Sequence, residues 1–185
     1  MLKSLLLVLA LLPLPAAAAA WKLDPATTVT ADVGWEGKIV EVRFPTLSGD
    51  IDFDQDHPER TNASIAVAAR DATTGVGVVD RLLRSRDYLG AEQYPTITFQ
   101  LDKLTRTSKN TATIDGRMTL RGVTRPVTFQ AKVFAYGPAK ADPARFEAGF
   151  DLSGSVDRTA FGSTGGVPDV AAVLPVHIRL LMTSR

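Results

Sequence analysis

The sequence predicts an all-β fold built from antiparallel strands with one short helix. Three observations carry the prediction. From Trp21 almost to the C-terminus, apolar residues recur at every second position. Turn-forming residues separate most of these runs, and a single segment near residues 78–90 changes to helical spacing. Strict alternation leaves one face buried and one face wet, which antiparallel sheets permit and buried parallel sheets do not.

The first twenty residues stand outside the pattern. Lys3 is the sole charge, the stretch from Leu5 to Leu14 is apolar, and Pro13 and Pro15 interrupt it before an alanine run. A membrane-spanning helix needs about 20 apolar residues, and this run is shorter and broken. Ala18-Ala19-Ala20 supplies the small residues of a signal-peptidase site, so residues 1–20 read as a cleaved secretory leader and Trp21 as the mature N-terminus. Residues 21–185 then form one domain, long enough for a core of its own.

The strands follow in order. Val29, Ala31, Val33 and Trp35 alternate with polar neighbours, as do Val40, Val42 and Phe44, then Ile51 and Phe53, then Ile65, Val67 and Ala69. Val79, Leu82, Leu83 and Arg86 fall at helical spacing, Gly90 can end that helix, and Pro95 keeps it out of the next strand. Ile97, Phe99 and Leu101 resume the period. Ala112 to Leu120, Val127 to Val133, Phe146 to Leu152 and Leu174 to Met182 complete it. Turns are expected at Ser48-Gly49, His57-Pro58, Arg121-Gly122, Gly137-Pro138, Asp142-Pro143 and Gly165-Gly166. About eight such strands hide their apolar faces in a closed barrel or in a two-sheet sandwich.

Composition narrows the chemistry. There is no cysteine, hence no disulfide, thiolate nucleophile or Cys-ligated metal, and His57 and His177 are the only histidines. Basic and acidic residues number 21 and 20, which gives no global attraction to nucleic acid. Asp50, Asp52, Asp54 and Asp56 suggest a calcium loop, but neither register has Gly at its sixth position and Glu at its twelfth. No Gly-x-Ser-x-Gly elbow accompanies the two histidines, which read as surface residues. No catalytic residue, metal site or cofactor is expected. Arg81, Arg84, Arg86, Arg117, Arg121 and Arg125 read as a solvated face, or alternatively as a cationic rim at a barrel mouth. Small inward residues (Ala31, Ala69, Ala112, Gly116, Ala131, Ala148, Gly154) among aromatics are compatible with a cavity or with close packing.

Several segments together resemble one family. They are Trp21-Lys22-Leu23-Asp24, the run Leu83-Arg84-Ser85-Arg86-Asp87-Tyr88-Leu89, and Gln93-Tyr94-Pro95-Thr96-Ile97-Thr98-Phe99. Gly116-Arg117-Met118-Thr119-Leu120-Arg121-Gly122-Val123-Thr124-Arg125-Pro126-Val127 and Asp157-Arg158-Thr159-Ala160-Phe161-Gly162 follow. In this order they resemble the YceI-like family of exported lipid-binding proteins, over essentially the whole mature chain. The resemblance implies a lipocalin-like antiparallel barrel of eight or slightly more strands, capped by the helix. It also implies a bacterial periplasmic location, a long apolar cavity for a polyisoprenoid or similar lipid such as an isoprenoid quinone, and no enzymatic activity. Histidines common in the family's first strands are replaced here, with Thr27 and Gly34 at the corresponding positions, and Val79-Asp80-Arg81-Leu82 replaces its helical motif.

Combining parity with that resemblance, the expected lining is Trp35, Val67, Leu82, Leu83, Phe99, Phe129, Phe150 and Ile178, with Tyr88 and Phe161 nearer the entrance. The expected partner is a long-chain lipid; the alternative reading is a packed barrel acting as a periplasmic interaction or stress-response module with no lipid ligand. Neither nucleic acid nor stable membrane insertion after leader removal is expected. The oligomeric state is not legible in the sequence, and a dimer is compatible with it.

Overall fold

The computed structural model describes residues 19–54 and 56–184; residues 1–18 of the predicted leader lie outside them. Ten strands form one antiparallel sheet: β1 (Ala19–Leu23), β2 (Thr28–Trp35), β3 (Lys38–Arg43), β4 (Leu47–Phe53), β5 (Asn62–Ala68), β6 (Thr96–Arg106), β7 (Thr111–Leu120), β8 (Val123–Pro138), β9 (Phe146–Asp157) and β10 (Val173–Ser184). Strands β1, β4, β5, β6, β7, β8, β9 and β10 pair in that order, and β10 pairs back onto β1, which closes an eight-stranded barrel. The hairpin β2–β3 extends it at one end, with β2 paired to β10. The barrel, rather than the sandwich, is the form the alternation takes.

Strands β1 and β2 lie one after the other along β10, against Met182–Ser184 and then Val176–Arg179. The interruption between them contains Pro25, and that between β3 and β4 contains Pro45, neither of which has an N–H to give to a ladder. At the first interruption the Thr27 hydroxyl donates to the Leu181 carbonyl (2.9 Å) and accepts from the Leu181 N–H (3.1 Å). A side chain thereby stands in for a missing backbone partner. Thr27 thus has a structural role.

Among the described residues there is one α-helix, α1 (Gly77–Arg84), and it is shorter than the periodicity suggests. After Ser85 the chain turns back on itself: the Leu89 N–H donates to the Leu83 carbonyl and the Ala91 N–H to the Arg84 carbonyl. This turn buries Leu89 and Ala91 at the barrel end, which a continued helix would carry outward. Ser48-Gly49, expected as a turn, lies inside β4. A Cβ at Gly49 would sit 2.4 Å from the Ser64 carbonyl oxygen, so glycine there serves close strand approach. Gly137-Pro138 likewise ends β8, and the reversal follows it at residues 139–145.

Packed side chains concentrate at the two ends of the barrel. At the helix end Val42, Ala69, Ala72, Leu89, Ala91, Leu120, Val156 and Phe161 form one cluster. At the opposite end Trp21, Ile51, Ala148 and Met182 form another, with Phe53 edge-on to both Trp21 and Phe150. Between them the inward side chains of the wall surround a hollow, with Phe99 and Phe129 edge-on to each other at 6.1 Å.

Candidate functional site

That hollow middle is a cavity of about 560 Å³, within the size range of small-molecule sites. Its lining includes Val29, Ala31, Val67, Phe99, Ala112, Ile114, Phe129, Ala131, Leu152 and Ile178, so seven strands present apolar side chains to it. Along β6 the lining runs from Ile97 to Arg106, about 30 Å of strand. With a barrel tilt of about 40° this is about 23 Å along the axis. That exceeds the span of one leaflet, half of a bilayer's ~30 Å hydrocarbon core.

Apart from Thr27 beside Leu181 and Thr98 on β6, polar lining lies at the ends. Thr74, Arg158, Ser163 and Asp169 lie at the helix end; Thr61, Arg106, Ser108, Lys109 and Asn110 lie at the other. The buried Thr61 hydroxyl has no hydrogen-bond partner among the described residues. The middle is suited to hydrocarbon, and a polar head group belongs at an end.

Nine of the ten residues expected to line a cavity do surround this one: Trp35, Val67, Leu82, Leu83, Tyr88, Phe99, Phe129, Phe150 and Ile178. Phe161 does not. It is 2% exposed and belongs to the packed cluster at the helix end. Its position follows a short 3₁₀ turn, Arg158–Phe161, which drives the ring into the plug and away from the void. Two inward glycines also leave no room. A Cβ at Gly116 would lie 2.4 Å from the Phe99 ring, and one at Gly154 2.7 Å from Phe129, so the two rings cover the glycines. The void comes instead from the alanines and valines of the middle layer.

Arg158 is the residue sequence reasoning missed. Only 4% exposed, it donates from Nε to the Ala171 carbonyl and from Nη1 to the carbonyl and hydroxyl of Ser163. From Nη2 it donates to the carbonyls of Gly165 and Val170. Five contacts use the five guanidinium donors and fold residues 163–171 into a fixed loop. Tyr88 lies against Gly165 and Gly166 and 5.7 Å from the guanidinium carbon, so the loop is also held to the segment after α1. The stretch from Asp157 to Gly162 stood out in the sequence, but the part its arginine plays is visible only in these contacts.

The other charged candidates resolve individually. Arg121 donates to the carbonyls of Arg86 and Tyr88, and Arg84 to those of Asp80 and Arg70; both tie backbone segments together. Arg117 pairs with Asp102 on the outer wall, and this pairing raises its pKa. Arg125 reaches the Ala160 carbonyl. His177 is outside the barrel, 3.5 Å from Asp32, and His57 is 3.6 Å from Asp54. Asp54 accepts the N–H groups of Asp56 and His57, and the His57 N–H foremost holds its pKa below the ordinary value. Among the described residues no group of three or more His, Asp or Glu could hold a metal.

A YceI-like domain profile matches residues 21–182. A UPF0312 protein of Pseudomonas aeruginosa is 32% identical over 121 residues, 65% of this chain and 61% of that protein. A UPF0312 protein of Yersinia enterocolitica is 28% identical over 122 residues, 65% of this chain and 62% of its own length. The alignment thus spans about three fifths of these curated relatives. Among solved structures, Burkholderia cenocepacia BcnA superposes with a TM-score of 0.77 at 21% identity, covering 86% of this chain and 98% of that one. A polyisoprenoid binding domain from Saccharophagus degradans, implicated in plant cell wall breakdown, gives 0.67 at 16% identity over 90% and 99%. These likenesses are likenesses of fold.

Proposed function

Because the chain belongs to the YceI-like domain family, we propose that it is an exported, non-enzymatic carrier of a long apolar lipid, a polyisoprenoid such as the tail of an isoprenoid quinone. The observation that carries the proposal is the cavity of about 560 Å³, whose lining is predominantly apolar, with its charged side chains at the ends. The fold shared with a polyisoprenoid binding domain supports the same reading. Chain length follows from magnitudes. Ten buried methylenes contribute about 8 kcal/mol, against roughly 4–15 kcal/mol for the freedom lost on association. A short acyl chain therefore binds weakly, and a longer one needs few polar contacts. Carriage rather than turnover is supported by the apolar middle, which presents no acid, base or nucleophile among the described residues, and by His57 and His177 lying outside the barrel.

Native mass spectrometry of protein purified from its own cells is expected to show a bound lipid, and added quinones or polyprenols to displace it. A ligand-free protein indifferent to both classes would exclude the carrier reading. Export to the periplasm belongs to the same proposal. N-terminal sequencing of the protein from the periplasmic fraction is expected to begin at or close to Trp21.

A further inference from the structure

The cavity lip at the helix end is bordered by three elements. They are the β2–β3 hairpin, helix α1 with the segments flanking it, and the loop held by Arg158. The three are joined: Val170 bridges to Trp35, Thr73 to Arg43, and the Gly165 N–H donates to the Asp87 carbonyl. Each element exposes large apolar side chains. Trp35 and Ile39 are 45% and 75% exposed on the hairpin, Val76, Val78 and Leu82 are 53%, 64% and 52% exposed around α1, and Val167 is 45% exposed on the loop. Trp35 and Leu82 also line the cavity, so the apolar interior continues onto the outer surface without a polar collar at these points. Scattered exposed apolar residues are ordinary, but a cluster around a cavity mouth marks a contact surface.

Charge at this end identifies the contact. On α1, Val78 and Leu82 are one turn apart, and Arg81 follows Val78 by three residues on the exposed flank. Arg70, Arg81 and Arg84 border a shallow groove beside this flank, with Glu92 the acid among them, and Lys38 is at the hairpin tip. Of the other acids at this end, Asp80 is buried in its bonds to Thr73 and Thr74, and Glu36, Asp71, Asp87 and Asp169 lie outside the groove, so cations outnumber acids within the groove itself. Apolar side chains beside arginines, with a tryptophan at the edge, are the chemistry of a lipid–water interface.

We propose that this lip docks on the surface of an anionic phospholipid bilayer, so that a lipid tail passes between membrane and cavity without crossing water. The inference rests on the lipid-carrier reading. It deepens that reading by assigning the membrane as the partner of the mouth.

Trp35 reports the contact directly, because the other tryptophan, Trp21, is 4% exposed at the opposite end of the barrel. The full chain is mixed with phosphatidylcholine vesicles, with or without phosphatidylglycerol, carrying brominated acyl chains. Quenching of Trp35 emission is expected with the anionic vesicles, to weaken as salt is added, and to vanish in Trp35→Phe. Ile39→Asp with Val78→Asp is expected to lower vesicle affinity at least ~10-fold, and Arg70→Gln or Arg81→Gln about fivefold each. Neither Ile39 nor Val78 lines the cavity, so uptake of quinone delivered from detergent stays at wild-type level in the double variant.

Unquenched Trp35, or vesicle affinity unchanged in the double variant, overturns the docking inference. So does concentration-dependent dimerisation that the double variant abolishes while vesicles remain unbound, because a second copy would then cover the lip. Failure of the carrier reading looks different: wild type takes up no quinone from detergent. Ala131→Phe and Ala112→Phe, which fill the cavity, should lose uptake and keep vesicle binding, with folding checked by thermal unfolding. Loss of both properties in well-folded forms of these two variants counts against a separate docking lip.

Discussion

Arg158 keeps its charge where the chain supplies carbonyls rather than a carboxylate. Burial, its main perturbation, pulls its pKa below the ordinary arginine value, yet guanidinium remains charged throughout the usual range. Its five donors hold four carbonyls that would otherwise converge without partners. Arg158→Ala is expected to lower stability by more than about 2 kcal/mol and to open residues 163–171 to protease. Arg158→Lys should recover only part of this, because one ammonium cannot span the same acceptors. Urea unfolding and limited proteolysis measure both effects. Asp80 is the acidic counterpart, accepting from the hydroxyls of Thr73 and Thr74 and from the Thr74 N–H at the entry to α1. The Thr73 hydroxyl foremost, then the N–H and hydroxyl of Thr74, lower its pKa to about 2. Because folding depresses this pKa below the ordinary value of about 3.9, the contribution is complete above that value and is lost as pH falls through about 2. The stability gap between wild type and Asp80→Asn should therefore be constant above about pH 5 and narrow on acidification. A gap that widened towards low pH would contradict the assignment.

Among the elements, the broken first strands show what prolines do to a barrel wall and how the chain compensates. Pro25 and Pro45 interrupt two strands in the middle of the sheet, and the Thr27 hydroxyl closes the gap against β10 in both directions. Thr27→Val keeps the shape and removes both hydrogen bonds. It should cost about 1–3 kcal/mol and speed exchange of the Leu181 amide, read by hydrogen–deuterium exchange. If that exchange stayed at its wild-type rate, the hydroxyl would not be the bridging group. Helix α1 shows a different compromise. The alternation of Val79, Leu82 and Leu83 with charged residues announced a helix, and all three line the cavity. Its end at Arg84 was not legible, because burial of Leu89 and Ala91 against distant strands outweighs continued local hydrogen bonding.

At the scale of the whole molecule, packed clusters at both ends hold a barrel whose middle is hollow. Such a barrel gives up cohesion that a bound tail can restore. A ligand at one hundred times its dissociation constant adds about 2.7 kcal/mol, which for a chain of this size raises Tm by about 5–10 °C. Delipidated protein should show that rise with a polyprenol or quinone and none with its isolated head group, as read by calorimetry. The alternating runs were enough to determine the all-β class and the face of Trp35, Val67, Phe99, Phe129, Phe150 and Ile178, all now found around the cavity, because a period of two leaves a strand only two choices of face; Leu82, Leu83 and Tyr88 came from helical spacing and the family resemblance. Closure of β10 onto β1, the covering of Gly116 and Gly154 by aromatic rings, the burial of Phe161 and the binding of a loop by Arg158 were decided by tertiary structure alone. Each depends on which residues meet across the barrel or across a turn, and those distances are not encoded in any local spacing.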